Sequence, residues 1–168
     1  MSRNVYVSPV GLERLQARVA SLEAALRLLR DEKLTAYTGS GDGWHDNPFF
    51  NKLEQDERST AKELAEVMEQ VAHAVIFEPS SRPIDAVRFG SIVEIERSEP
   101  GKDDSRELWE IVGYGESDRT ARKLAYTAPL ASALVGQEPG SVVSFQQPRG
   151  AEKVMVNVEI LALHAEWP

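Results

Sequence analysis

The 168 residues include no cysteine. Disulfides and thiolate chemistry are therefore excluded, and so are zinc sites built from sulfur. No apolar run approaches the roughly 20 residues that a bilayer-crossing helix needs, so no membrane span is expected. The opening residues, MSRNVYVSPVG, lack the basic segment and apolar stretch of a signal peptide. Together these absences point to the cytoplasm. Cationic side chains are in deficit: 19 Lys and Arg against 27 Asp and Glu leave a formal net charge of −8. That balance argues against a protein that binds nucleic acid along its whole surface, because phosphate neutralisation needs clustered Lys and Arg. No nucleophile–base constellation supports a self-contained hydrolase. His73 and His164 stand isolated and read as structural.

What is present divides into two patterns. Leu12, Leu15, Val19, Leu22, Leu26 and Leu29 recur at alternating steps of three and four, the seam of a helix packed along one partner. Ser8 followed by Pro9 predicts the helix start, with serine as N-cap and proline at the first helical position. The helix is expected to run to about Leu34, with Thr38 and the glycines after it as the stop. Phe50, Leu53, Leu64, Val67, Val71 and Ala74 form a second seam, interrupted by polar Glu57 and Thr60. Asn47 and Pro48 open this helix, which is expected to reach about Val75. Two such helices joined by one turn make an antiparallel hairpin with an arm of roughly 35–45 Å. Arg14, Arg18, Arg27, Arg30 and Lys33 are spread around the first helix among acidic residues and read as a solvated exterior.

The turn, TAYTGSGDGWHDNPFFN over residues 35–51, is rich in Gly and Asp and places Asp42, His45 and Asp46 at the end of the arm. Beyond it, IFEPSSRPIDAVRFG marks a change from helical to strand-like periodicity. The expected organisation is a coiled-coil hairpin over 1–78, with its acidic tip at about 38–47, a linker over 79–84 and a second domain over 85–168. In that domain residues 91–96 (SIVEIE), 108–112 (LWEIV), 140–145 and 153–163 (KVMVNVEILAL) read as strands, and PLASALVG as one or two helical turns with a glycine stop. The fold class is α+β: a helical hairpin, then a small antiparallel sheet with one short helix.

A hairpin with an acidic tip, followed by FGSIVEIE, LWEIVGYGESD, LAYTAPLASALVGQEPGSVVSF and VNVEILAL in that order, resembles the Gre family of bacterial transcript-cleavage factors. The opening VSPVGLERLQARVASLE looks like that family's first helix. The resemblance covers nearly the whole chain. It implies an FKBP-like second domain that grips the rim of the secondary channel of bacterial RNA polymerase, and a hairpin that carries tip carboxylates to the active centre. There the acids help to hold a Mg²⁺ shared with the polymerase and orient water, so that the polymerase cuts its own extruded RNA. The chain would bind no cofactor alone, act as a monomer, and have no turnover by itself. The implied tip acids and metal ligands are Asp42 and Asp46, with Trp44, His45 and Asn47 as auxiliaries. The implied polymerase-binding residues are Pro129, Leu130, Ala131, Leu134 and Gly136.

Two departures from the family pattern bear on mechanism. The family tip is an Asp, two residues, then Glu-Asn-Ala. Aligned on Asn47, the Glu position holds Asp46 and the Asp position falls on Gly43, with Asp42 one residue earlier. The acids are thus four apart rather than three. Turn chemistry alone also accounts for both, since Asp42-Gly43 is a common turn dipeptide and Asp46 precedes a helix N-terminus. Trp44 stacks on an RNA base or packs against Phe49; His45 relays a proton or has no role. In the docking segment the family's basic residues are replaced by Ser132 and Gln137, and Leu130 and Leu134 equally fit packing of the short helix on its sheet. Three functions follow: cleavage stimulation, occupation of the channel without cleavage, and prolyl isomerisation by the FKBP-like domain. The last needs an aromatic-lined pocket, whereas Phe89, Trp109, Tyr114, Tyr126 and Phe145 are scattered in sequence.

Overall fold

The computed structural model describes residues 4–39, 48–77 and 82–168. The order is β1 (Val5–Val7), α1 (Pro9–Gly39), α2 (Pro48–Ala72), β2 (Ala74–Ile76), β3 (Ile92–Ser98), β4 (Ser105–Val112), β5 (Lys123–Ala125), α3 (Pro129–Leu134), β6 (Val142–Arg149) and β7 (Glu152–His164). The chain forms two compact units, one of Met1–Val5 with Leu12–Ala74, the other of Tyr6–Gly11 with Val75–Pro168. No described helix is long and apolar enough to cross a membrane.

The first unit is the helical hairpin. Its seam is buried at Leu22, Leu26, Phe50, Leu53 and Val67. Ion pairs link Arg18 to Glu63, and Arg30 and Lys33 to Glu57, so the partner's number falls as the α1 number rises and the helices run antiparallel. α1 continues past the expected end near Leu34. The Thr35 and Thr38 hydroxyls donate back to the carbonyls of Asp31 and Leu34, both at 3.0 Å, so these residues are satisfied within the helix instead of breaking it. α2 stops short of Val75, at Ala72. Residues Ala74–Ile76 extend and pair with β1 in a two-stranded ribbon, where β-branched Val75 and Ile76 suit an extended chain.

The start of α1 belongs to the second unit. Ser8 is the N-cap: its Oγ accepts the Gly11 N–H at 3.0 Å. In a local capping box the third helical residue would be a Glu that accepts the cap's own N–H. Here that residue is Gly11, and the carboxylate comes from Glu116, whose Oε1 accepts the Ser8 N–H at 2.7 Å. A Cβ on Gly11 would lie 1.9 Å from that oxygen, so glycine makes room for the distant cap. Glu116→Ala should lower the stability of the folded chain by about 1 kcal/mol, the usual scale of a lost cap. Gly11→Ala should cost a similar amount by displacing the carboxylate. Urea denaturation of both variants measures this.

The second unit is built on a five-stranded sheet of order β5-β4-β3-β7-β6. All neighbours are antiparallel except β4 and β5, a short parallel pair with no counterpart in the sequence-based expectation. Val93 and Ile95 on β3, Ile111 on β4, and Val156, Val158 and Ile160 on β7 line one face, each 0% exposed. The β3–β7 register shifts between Glu94 and Ile95: Val93 faces Leu163, but Ile95 faces Ile160. The extra residue is a bulge, which lets both Leu163 and Ile160 turn toward the core. α3 covers this face with Leu130, Ala131 and Leu134. Each fully buried Leu, Ile or Val contributes about 1.5–3 kcal/mol to the fold.

Candidate functional site

Asp42, Trp44, His45, Asp46 and Asn47 lie outside the described residues. What is described is the frame that brackets them. α1 runs out to Gly39, and α2 begins at Pro48 with proline in the first helical position, where its missing N–H has no intrahelical partner to lose. Phe50 is buried near this end while Phe49 is exposed. Among the described residues no group of three or more His, Asp and Glu side chains is placed to hold a metal ion.

The strongest polar feature of the hairpin lies within the seam, close to these ends. Glu57 accepts hydrogen bonds from Lys33 Nζ at 2.7 Å and Arg30 Nε at 3.0 Å. Lys33 also lies 5.8 Å from the Phe50 ring centroid. Glu57 and Lys33 are only 19% and 29% exposed, which separates this pair from the more exposed ion pairs within α2, Glu54–Arg58 and Glu66–Lys62. The Lys33 hydrogen bond, helped by Arg30, holds the Glu57 carboxyl below its usual value near 4.5. A carboxyl whose folded value is depressed stabilises the fold above its unfolded value and loses that contribution as pH falls through the folded one. The melting temperature of the hairpin should therefore drop as pH falls below about 4.5. Glu57→Gln should remove this part of the acid dependence, as followed by circular dichroism.

Two open grooves share Arg30 along this stretch. One, of ≈ 230 Å³, is lined by Arg30, Lys33, Leu34, Tyr37, Phe50 and Glu57. The other, of ≈ 470 Å³, is lined by Glu23, Leu26, Arg27, Arg30 and Leu64. Lys33 thus departs from the solvated exterior expected of the basic residues on α1. Its position was legible: continuing the seam from Leu29 by alternating four and three lands on Lys33 and Ala36, both half-buried.

In the second unit the expected docking residues separate. Leu130, Ala131 and Leu134 are 7%, 0% and 0% exposed, so their side chains are core and offer no surface to a partner. Pro129 and Gly136 are exposed, together with Ser132, Val135 and Gln137. Gly136 adopts φ +86°, the left-handed conformation that stops α3, and its N–H donates to the Val87 carbonyl at 2.8 Å. The aromatics are less scattered than the sequence suggested. Tyr6, Phe77, Phe89 and Tyr126 pack together, with centroids 4.9 Å apart for Tyr6–Phe89 and for Phe89–Tyr126. Trp109 and Phe145 pack against the sheet core and also meet charged groups. The Trp109 indole donates to Glu107 at 2.7 Å, and Arg97 lies 5.9 Å from the Phe145 centroid while bonded to Glu99.

Residues 81–162, the sheet unit with α3, match the family described as Transcription elongation factor, GreA/GreB, C-term. Full-length similarity accompanies it: transcription elongation factor GreA of Acidiphilium cryptum is 29% identical over 153 residues, 91% of this chain and 92% of that one. The chain is similar to the GreA/GreB family along nearly its whole length. GreA of Clostridium beijerinckii is 27% identical over 152 residues, 90% of this chain and 92% of that one. Among solved structures, GreA factor homolog 1 (Gfh1) of Thermus thermophilus is 23% identical with a TM-score of 0.41, covering 96% of this chain and 99% of that one. The Lys33–Glu57 pair and the Glu116 cap are two polar devices that sequence reading did not assign. A seam followed past its last leucine reveals the first. The second joins residues 108 positions apart, and no local pattern signals it.

Proposed function

We propose that this chain is a transcription elongation factor that binds bacterial RNA polymerase in its secondary channel and stimulates cleavage of backtracked RNA through Asp42 and Asp46. It works as a cytoplasmic monomer without turnover of its own, since the bond it helps to break lies in the polymerase active centre. The observation that supports this reading is the hairpin: 31 residues in α1 give an arm of about 46 Å at 1.5 Å per residue, leading straight to the acid-bearing turn. The exposed residues Pro129, Ser132, Val135, Gly136 and Gln137 are the part of the α3 segment available to the polymerase.

Asp42 and Asp46 would hold the Mg²⁺ shared with the polymerase. Their donor chemistry fits, because Mg²⁺ takes hard oxygens, keeps several waters and is commonly held by one or two carboxylates. Such an ion, when bound, stabilises charge on the attacking and leaving oxygens. The chain's own part is placement. The paired helices carry the two carboxylates, and their acid groups orient the attacking water near the extruded RNA end. Trp44, His45 and Asn47 accompany them as auxiliaries. A second reading, channel occupation without cleavage, draws support from the spacing of Asp42 and Asp46, four apart where the family pattern has three.

Because the chain has no cysteine, His45→Cys provides a unique attachment point for a photo-crosslinker. In backtracked complexes the expected crosslinks fall on the polymerase active centre and the RNA 3′ end. Crosslinks confined to the polymerase exterior would overturn channel entry.

A further inference from the structure

Each helix of the hairpin carries one charged residue on its seam. On α1 the positions are Leu12, Leu15, Val19, Leu22, Leu26, Leu29, Lys33 and Ala36; on α2 they are Phe50, Leu53, Glu57, Thr60, Leu64, Val67 and Val71. The two charges are opposite, and they meet at 2.7 Å. An apolar seam of repeated leucines tolerates sliding, because one leucine replaces another at each step. A slip of α2 by one seam position would place Leu53 or Thr60 against Lys33, and would leave the partly buried Lys33 ammonium without its carboxylate. Opposite charges at a single seam level therefore select one register, in the way that a lone polar residue fixes register in a coiled coil. Such pairs add little to stability compared with an apolar pair of similar volume, so specificity is the better account of this one.

We infer that Lys33 and Glu57 are positioning residues that lock the register of α1 against α2, and so fix how Gly39 and Pro48, the residues bracketing the tip, are presented. The inference deepens the tip-delivery reading and rests on it only for its consequence in cleavage. The register itself is a property of the isolated chain. Arg30 completes the layer from the solvent side, bonded to the same carboxylate at 3.0 Å. Phe50 closes it toward the tip, where its ring faces the Lys33 ammonium.

The test uses spin labels on Thr35→Cys and Lys52→Cys, exposed positions on opposite helices of a chain with no native cysteine. Pulsed electron resonance on the full chain should give one narrow distance distribution in the parent. In Lys33→Leu/Glu57→Leu the chain should remain folded, with a melting temperature equal to or above the parent's. The distance distribution should then broaden or split by about 5 Å, one turn of helix. The charge exchange Lys33→Glu/Glu57→Lys should restore the single distribution, which a purely packing role would not predict. A narrow, unshifted distribution in the leucine pair would overturn the inference, whatever the chain does to polymerase. If the register is lost in the leucine pair while cleavage by the parent is absent, the positioning role stands and the cleavage reading fails.

Discussion

Asp42→Ala and Asp46→Ala should each reduce stimulated transcript cleavage by roughly 10²-fold or more, the scale on which losing one preorganised charge-stabilising group slows a reaction. Neither carboxylate is expected to matter for binding, because the docking surface is assigned to the second unit. The signature is therefore a collapse of the maximal cleavage rate with an unchanged concentration for half-maximal effect. Asp46→Glu, which restores the family's longer side chain, should retain activity. A loss in Asp42→Ala with none in Asp46→Ala would mean that one acid suffices and that Asp46 serves the helix start. Intrinsic cleavage by polymerase without the factor provides the baseline.

The second large effect concerns stability. Leu134 is 0% exposed and sits in the core with Leu130, Ala131 and the β7 residues. Leu134→Ala should destabilise the sheet unit by about 2–5 kcal/mol, the range for emptying a buried leucine site. In a unit of this size such a loss lowers the melting temperature by on the order of 10–20 °C. Polymerase binding would fall with it, through unfolding of the surface rather than loss of a contact. Val135 next door is 38% exposed and tests the contact directly. Val135→Glu should leave melting nearly unchanged and weaken binding. Calorimetry beside a binding assay separates the two, and a Leu134→Ala chain that melts like the parent would remove α3 from the core.

The alternation of three and four was enough to place both helices and their antiparallel pairing, because the apolar seam is continuous and the helix start is announced by Ser8 and Pro9. Helix ends were less legible. Thr35 and Thr38 satisfy their hydroxyls within α1, while Val75 and Ile76 leave α2 for a strand whose partner, β1, lies about 70 residues away in sequence. Strands β3, β4, β6 and β7 followed from alternating residues, whereas three-residue β5 carries too few positions to show a period. The expected docking residues show the limit most clearly. PLASAL carries the same apolar residues whether they face a partner or a core, and only the sheet beneath them decides for Leu130, Ala131 and Leu134.

The most direct measurement is the length of nascent RNA in stalled, backtracked complexes of the cognate polymerase after addition of the parent chain and Mg²⁺. The account predicts rapid shortening of the transcript from its 3′ end, followed by resumed elongation when nucleotides are supplied. An unshortened transcript, with slowed elongation or suppressed intrinsic cleavage at saturating chain, would contradict it and leave a factor that occupies the channel without cutting.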